Sequence, residues 1–170
     1  MIRTFRKAEI GRVADIWLDT NQRAHAFISA QYWEEHFEEV KKLLLQAELY
    51  VYEEETRHLV QGFIGLDGDY IAGIFVADGA QSRGIGRQLL EHVKRLKGRL
   101  CLKVYQKNAR AVAFYVKESF HIRNEGVDDA TGENEYFMIW KKSFTSRSSE
   151  SPAASCDSIR GSVCKNREGC

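Results

Sequence analysis

The stretch Gln81-Ser82-Arg83-Gly84-Ile85-Gly86-Arg87 carries residue types that can hold an anion. It follows an apolar β-type run, Tyr70–Val76, and opens an amphipathic segment that continues to Lys97. Glycine at 84 and 86 lets the backbone come close to a ligand and take dihedrals closed to other residues. A helix starting there presents N–H groups without intrahelical partners and the positive end of its dipole. Together these make an anion site, most naturally one for a phosphate. Arg83 and Arg87 add cationic charge beside it. No Gly-Lys-Ser/Thr follows, so the stretch is not a Walker loop. It is not a dinucleotide fingerprint either, because the third glycine is missing and the strand before it is not the first of a βαβ series. A second constellation lies downstream, Asn108-x-x-Ala111-x-x-Phe114-Tyr115. Asn108 is a residue type that caps helices, here one over Ala109–Glu118.

The elements that must position these residues can be taken in order. Ile2–Phe5 reads as a short strand, and Ala8–Thr20 has apolar residues at helical spacing. Asn21–Ser29 breaks that pattern and reads as a loop, before a second helix over Ala30–Gln46. Glu48–Glu53, Leu59–Leu66 and Tyr70–Val76 then form an antiparallel meander, with Asp67-Gly68-Asp69 as a hairpin turn. Helix Ile85–Lys97 is closed by Gly98. It leads to strand Leu100–Tyr105, which a right-handed crossover makes parallel to Tyr70–Val76. Phe120–Val127 and Glu135–Lys141 close the domain as a hairpin.

The chain has 170 residues, a net charge of +1 and 44% hydrophobic residues, values that suit one compact domain over residues 1–143. So small a charge gives no reason to expect nucleic acid or an anionic membrane as a partner. No apolar run approaches the roughly 20 residues of a membrane span. The N-terminus lacks the apolar core of a signal peptide, so a soluble cytoplasmic protein is expected. Residues 144–170 are Ser-rich, poor in large apolar side chains, and expected to be a disordered tail. Of the four cysteines, Cys101 lies in an apolar strand. Cys156, Cys164 and Cys170 lie in the tail at no zinc-binding spacing, and no metal is expected.

Gln81-x-x-Gly84-x-Gly86 followed by Asn108-x-x-Ala111-x-x-Phe114-Tyr115 resembles the GCN5-related N-acetyltransferases (GNAT). The resemblance covers Ile2–Lys141. It implies an α/β (mixed α+β) fold, a twisted mixed sheet of about six to seven strands with helices on both faces. Ala24–Ile28, Tyr32-Trp33, Val104–Asn108 and Tyr136–Trp140 look like a small bacterial subgroup, some of whose members acetylate protein lysines. The resemblance implies acetyl-CoA as the co-substrate. Its pyrophosphate would rest on Gln81, Ser82, Arg83, Gly84, Ile85, Gly86 and Arg87, with Asn108 and Phe114 as further contacts. Its pantetheine arm would pair with backbone groups of Ile74, Phe75 and Val76, which requires a splay between Val76 and Val104. An N–H near Phe75 or Val76 would then face the developing oxyanion. Tyr115 would be the general acid, since a phenol titrating near 10 is protonated when a thiolate of conjugate-acid pKa near 8.5 departs.

Three positions depart from the family pattern. Lys103 stands where many relatives have Glu, in Leu102-Lys103-Val104; Ser119 stands for Gly, and Asp78 for Pro. With Lys103 in place the general base stays open among a water chain, Glu135, His25 and Tyr70. His25, Phe27, Tyr32, Tyr70 and Glu135 are the acceptor-site candidates. Glu53-Glu54-Glu55 reads as a solvated turn, and Asp128, Asp129, Glu133 and Glu135 as a solvated hairpin tip that could also attract an amine. The expected function is acetyl transfer by direct attack to a primary amine, a protein lysine or N-terminal amine. The alternatives are a small amine (polyamine, amino acid or aminoglycoside) as acceptor, or a non-catalytic acyl-CoA-binding module. Cys101 is not expected to be a nucleophile, because apolar flanks disfavour its thiolate. A monomer and a homodimer are both compatible with the sequence.

Overall fold

A computed structural model describes residues 1–143; the expected tail, with Cys156, Cys164 and Cys170, lies outside them. Strands β1 (Ile2–Thr4), β2 (Glu48–Glu54), β3 (Leu59–Asp67), β4 (Tyr70–Val76), β5 (Arg99–Tyr105), β6 (His121–Val127) and β7 (Asn134–Lys141) form one sheet. Its order is β1-β2-β3-β4-β5-β7-β6. The mixed sheet and its two helical layers are those expected. The β2–β3–β4 meander is antiparallel, and the crossover helix α4 (Ile85–Leu96) makes β5 parallel to β4. After helix α5 (Ala109–Lys117) the chain goes to the outer edge as β6 and returns inside it as β7.

Two cores result. One packs Ile71, Ile74 and Val76 of β4 and Leu100, Leu102 and Val104 of β5 against Leu89, Leu90 and Val93 of α4 and Tyr115 of α5. Leu89, Leu90 and Val93 are fully buried, which contributes about 1.5–3 kcal/mol each. The other packs Leu49, Val51, Phe63, Phe75 and Tyr105 under helices α1 (Ile10–Ala24), α2 (Ala30–Glu35) and α3 (Phe37–Leu44). Ile71 and Ile74 share a face although three residues apart. A bulge opposite Gly65/Leu66 inserts the extra residue that restores the register.

Two helical expectations are corrected. Asn21–Ala24, read as loop, is the last turn of α1. Asn21, where the break was expected, donates from Nδ2 to the Trp17 carbonyl at 2.8 Å inside the helix, as Thr20 Oγ1 does to that of Ile16 at 2.6 Å. The single helix expected over Ala30–Gln46 is broken at His36, which ends α2 and begins α3 at φ −93°, ψ −2°. Its Nδ1 lies 2.6 Å from the Tyr32 carbonyl oxygen. Ser29 caps α2 by accepting from the Tyr32 N–H.

The acidic run is also corrected. Glu53 and Glu54 end β2, and Glu53 is buried, bonded to Arg3 and to His58. At the other hairpin Asp128 is buried and accepts from the Tyr105 hydroxyl at 2.8 Å. It is therefore an internal polar anchor and not part of a solvated tip.

Candidate active site

Between β4 and α4 the backbone twice enters the left-handed region, at Ser82 (φ +61°) and Gly84 (φ +75°). The turn lets α4 start with Gly84 as its N-cap. The Gln88 N–H is the first to find an intrahelical acceptor, the Gly84 carbonyl at 3.0 Å. The N–H groups of Ile85, Gly86 and Arg87 thus belong to the first turn, where no helical acceptor exists. A cleft of about 250 Å³ opens over them. Val76, Gln81, Ser82, Gly84, Ile85, Gly86, Arg87 and Phe114, all expected at the donor site, line it. Arg83 is exposed and outside the lining.

Arg110 and Lys117, which were not among the expected site residues, also line the cleft. Their signal was present: positions 110, 114 and 117 fall on one face of a helix. Arg110 donates to Gln81 Oε1 and to Ser82 Oγ, both at 3.3 Å, which ties α5 to the loop. Gln81 Nε2 in turn donates to the Val76 carbonyl at 3.2 Å. The Glu118 carboxylate in the wall would oppose an anion. It is offset by Lys94 at 3.4 Å and Arg87 at 3.5 Å. Asp78, the departure from proline, pairs with Arg23 of α1 at 2.9 Å and so fastens the loop to the opposite layer.

Below the cleft β4 and β5 diverge. Their parallel ladder has one registered pair, Tyr70 with Cys101. The Ala77 N–H bonds to the Gln61 carbonyl at 2.8 Å, in register with the Gly62–Val76 and Phe63–Phe75 pairs. That register fixes the alternation of an antiparallel ladder. Phe75 directs its backbone groups to β3, while Ile74 and Val76 direct theirs toward the gap beside β5. Of the three residues expected to face the gap, Phe75 is therefore corrected. Its side chain is also on the far face, stacked on Phe63 at 4.8 Å.

Tyr115 lies on α5, fully buried in the core with Ile74 and Val76 of β4 and Val104 of β5, and does not itself line the cleft. A Schellman motif ends its helix: Phe120 N–H bonds the Tyr115 carbonyl at 2.9 Å, and Ser119 N–H that of Val116 at 3.0 Å. Ser119 stands at φ +68°, which explains why glycine is usual there. The motif's apolar contact is Tyr115 against Phe120, ring centroids 5.2 Å apart. At the other end Asn108 caps α5 through Oδ1 to the Ala111 N–H at 3.1 Å. Its Nδ2 lies 3.1 Å from His25 Nε2.

The acceptor candidates divide. His25 is fully buried, without surface to meet an acceptor, and joins the end of α1 to the cap of α5. Its ring contacts Phe27, Trp33 and Tyr105. Tyr32 joins the same cluster through Trp33. Glu135 faces Tyr105 in the β5–β7 register, so it lies beside this group. Tyr70 lies apart, at the opposite end of β5 beside Cys101. Lys103, the departure in β5, donates to Glu135 Oε1 at 2.8 Å.

A family model described as an acetyltransferase (GNAT) domain matches residues 46–122. The chain is 35% identical over 142 residues to the peptidyl-lysine N-acetyltransferase YiaC of Escherichia coli (strain K12), an alignment spanning 82% of this chain and 96% of that protein. The chain belongs to the GNAT family of N-acetyltransferases. The acetyltransferase is also 31% identical over 132 residues to the peptidyl-lysine N-acetyltransferase YjaB of the same organism, spanning 78% of this chain and 89% of that one. The solution structure of apo-form YjaB from Escherichia coli superposes with a TM-score of 0.73 at 30% identity, covering 82% of this chain and 95% of that one. The same fold occurs at 17% identity and a TM-score of 0.57 in yncA, a putative acetyltransferase from Salmonella typhimurium solved with its cofactor acetyl-CoA; 88% of this chain and 97% of that one are covered.

The acetyltransferase uses acetyl-CoA, and its own residues fit that molecule. Two left-handed residues and a helix start suit a pyrophosphate. Arg87, Arg110 and Lys117 supply cations around it. The gap beside β4 offers a backbone ladder to an amide-bearing arm. Among the described residues no helix is long and apolar enough to cross a membrane.

Proposed function

We propose that this acetyltransferase modifies the side-chain amine of lysines in proteins, by direct attack of the amine on the thioester. The observation that carries the reading is the 35% identity to a peptidyl-lysine N-acetyltransferase across 96% of that relative's length. When bound, acetyl-CoA supplies an acyl group activated as a thioester. The chain's residues hold, orient and move protons. Ile74 and Val76 backbone groups grip the pantetheine arm, and an N–H there stabilises negative charge developing on the carbonyl oxygen. The start of α4 holds the pyrophosphate.

Tyr115 donates its phenolic proton to the departing sulfur. A phenol near pKa 10 holds its proton at neutral pH, and its transfer to a thiolate whose acid titrates near 8.5, uphill by about 2 kcal/mol, is drawn forward by cleavage of the carbon–sulfur bond. The Schellman motif and the Asn108 cap support this role by fixing both ends of the helix that carries it. This reading implies a cytoplasmic protein whose partners are acetyl-CoA and lysine-bearing proteins.

The test is an acceptor panel: a terminally blocked peptide with one lysine, a lysine-free peptide with a free N-terminus, and a set of small amines. Mass spectrometry then locates the acetyl group. Acetylation of the lysine side chain is the expected result. Acetylation confined to small amines would overturn the acceptor assignment.

A further inference from the structure

An acceptor lysine arrives as an ammonium, titrating near 10.4, and has no lone pair until it gives up a proton. The carboxylate that lines the donor cleft, Glu118, is held by Lys94 and Arg87 at the phosphate end. The face of the sheet opposite α4 and α5 holds another that can take that proton. Glu135 on β7 is 3% exposed and stands opposite Tyr105. Lys103 on β5 caps it, Nζ to Oε1 2.8 Å, from a position next to Val104 at the edge of the gap. The two partners are unequal: the Lys103 side chain keeps 35% of its surface, that of Glu135 only 5%. The pair is thus a sunken carboxylate met by an ammonium that reaches in from solvent on an aliphatic stem. An acceptor lysine would arrive in the same form.

We propose that Glu135 binds the acceptor ammonium and takes its proton, and that Lys103 fills the acceptor's place until it is displaced. The inference rests on the amine-acetylation reading. A buried carboxylate left without a cation is strongly destabilised, so exchanging one ammonium for another keeps it compensated throughout. Lys103, being partly exposed, gives up little when it swings into water. Other charges near Glu135 are already engaged. Glu133, two residues away, pairs with Lys107 at 2.9 Å. Across β6 the opposite residue is Gly126, which has no side chain, and the Tyr105 hydroxyl donates to Asp128.

In the reaction the nitrogen lone pair forms the bond to the acetyl carbon as the carbon–sulfur bond breaks. The ammonium loses two protons. The first goes to Glu135 and on to solvent; the second, lost from the nitrogen once the bond to carbon has formed, reprotonates the Tyr115 phenolate after that residue has given its proton to the sulfur. A neutral thiol and an amide result, with no oxidation or reduction.

Glu135→Gln keeps the shape and a hydrogen-bond acceptor for Lys103 but cannot take the proton. With the best amine from the panel, kcat/KM near neutral pH should fall by roughly 10²-fold. Calorimetric affinity for acetyl-CoA should be unchanged. The deficit should shrink as pH rises toward the amine's own pKa, because solvent then supplies neutral amine. Lys103→Gln removes the competing ammonium and should lower the acceptor KM several-fold, which decides the matter should Glu135→Gln fail to fold. Wild-type kcat/KM in Glu135→Gln, a deficit equal at every pH, or an unchanged or raised acceptor KM in Lys103→Gln would overturn the proposal. Wild-type transfer to small amines alone would sink the lysine reading and leave this test intact, since any ammonium must lose the same proton. No transfer to any amine would sink both.

Discussion

Ser119 shows how one residue sets the position of another. Its φ of +68° is forced by the Schellman motif that ends α5, and a side chain there is strained by about 1 kcal/mol. Replacing it with glycine should raise unfolding stability by up to about 1 kcal/mol, read by urea denaturation, with turnover unchanged. A loss of stability would mean that the serine makes an interaction outweighing its strain. The motif residues Asn108, Phe114 and Tyr115 were legible because helix caps and helical faces are local properties. Glu53, Asp128 and the Lys103–Glu135 pair were not. Their partners lie on other strands: Arg3 is fifty residues from Glu53, and Lys103 thirty-two from Glu135. Charge composition alone read the carboxylates as solvated. His25 was misplaced for the same reason, since the groups that bury it come from α2 and β5.

At the scale of elements, the donor site is a strand that leaves its neighbour and a helix that starts in the right place. Gly84 is the hinge between them. A Cβ added there would meet no atom within 4 Å, so the cost of a side chain is backbone strain and not a clash. Gly84→Ala at φ +75° should lose about 1–2 kcal/mol of stability and weaken acetyl-CoA binding, read by calorimetry. Affinity at the wild-type level would show that the loop holds its form without glycine. Strand–loop–helix order was readable from periodicity, and so was the parallel crossover. The direction of backbone groups at Phe75 was not, because it depends on which β3 residue lies opposite. The break at His36 was equally hidden, since the apolar period continues through it.

For the molecule as a whole, the β1 edge of the sheet carries a cluster of paired charges. Strand β1 has three residues, and Arg3 on it bonds both Glu9 and Glu53. Hydrogen bonds from His58 and then Arg3 hold the Glu53 carboxyl below its ordinary range. Glu9 is lowered chiefly by its hydrogen bond with Arg3. A carboxyl lowered in the folded state favours folding above its unfolded pKa of about 4.3 and loses that contribution as pH falls through the folded value. His92 acts in the same direction at higher pH. Burial, then Arg95, lowers its pKa, so the unfolded chain takes up its proton first as pH falls below about 6.5. Thermal stability should therefore decline on acidification, first gently and then steeply. Glu53→Gln should be less stable than wild type near pH 7, by a margin that closes as pH falls below the ordinary carboxylate range and through the lowered folded value. A margin constant with pH would remove this edge cluster from the acid response. The placement of helices on both faces of the sheet was legible because the helices carry apolar faces. The placement of β7 inside β6 was not, because a hairpin's sequence does not say which arm lies outermost.

Acid catalysis by Tyr115 on a lysine acceptor is tested most directly by turnover of wild type and Tyr115→Phe on one single-lysine, terminally blocked peptide, following thiol release from acetyl-CoA. Acetyl-CoA affinity is measured on both proteins. Wild type should release thiol only when the peptide is present. Tyr115→Phe should turn over at least about 10²-fold more slowly with its acetyl-CoA affinity intact. Equal turnover by the two proteins would remove Tyr115 from the chemistry, and no peptide-dependent release by wild type despite bound acetyl-CoA would exclude lysine as the acceptor.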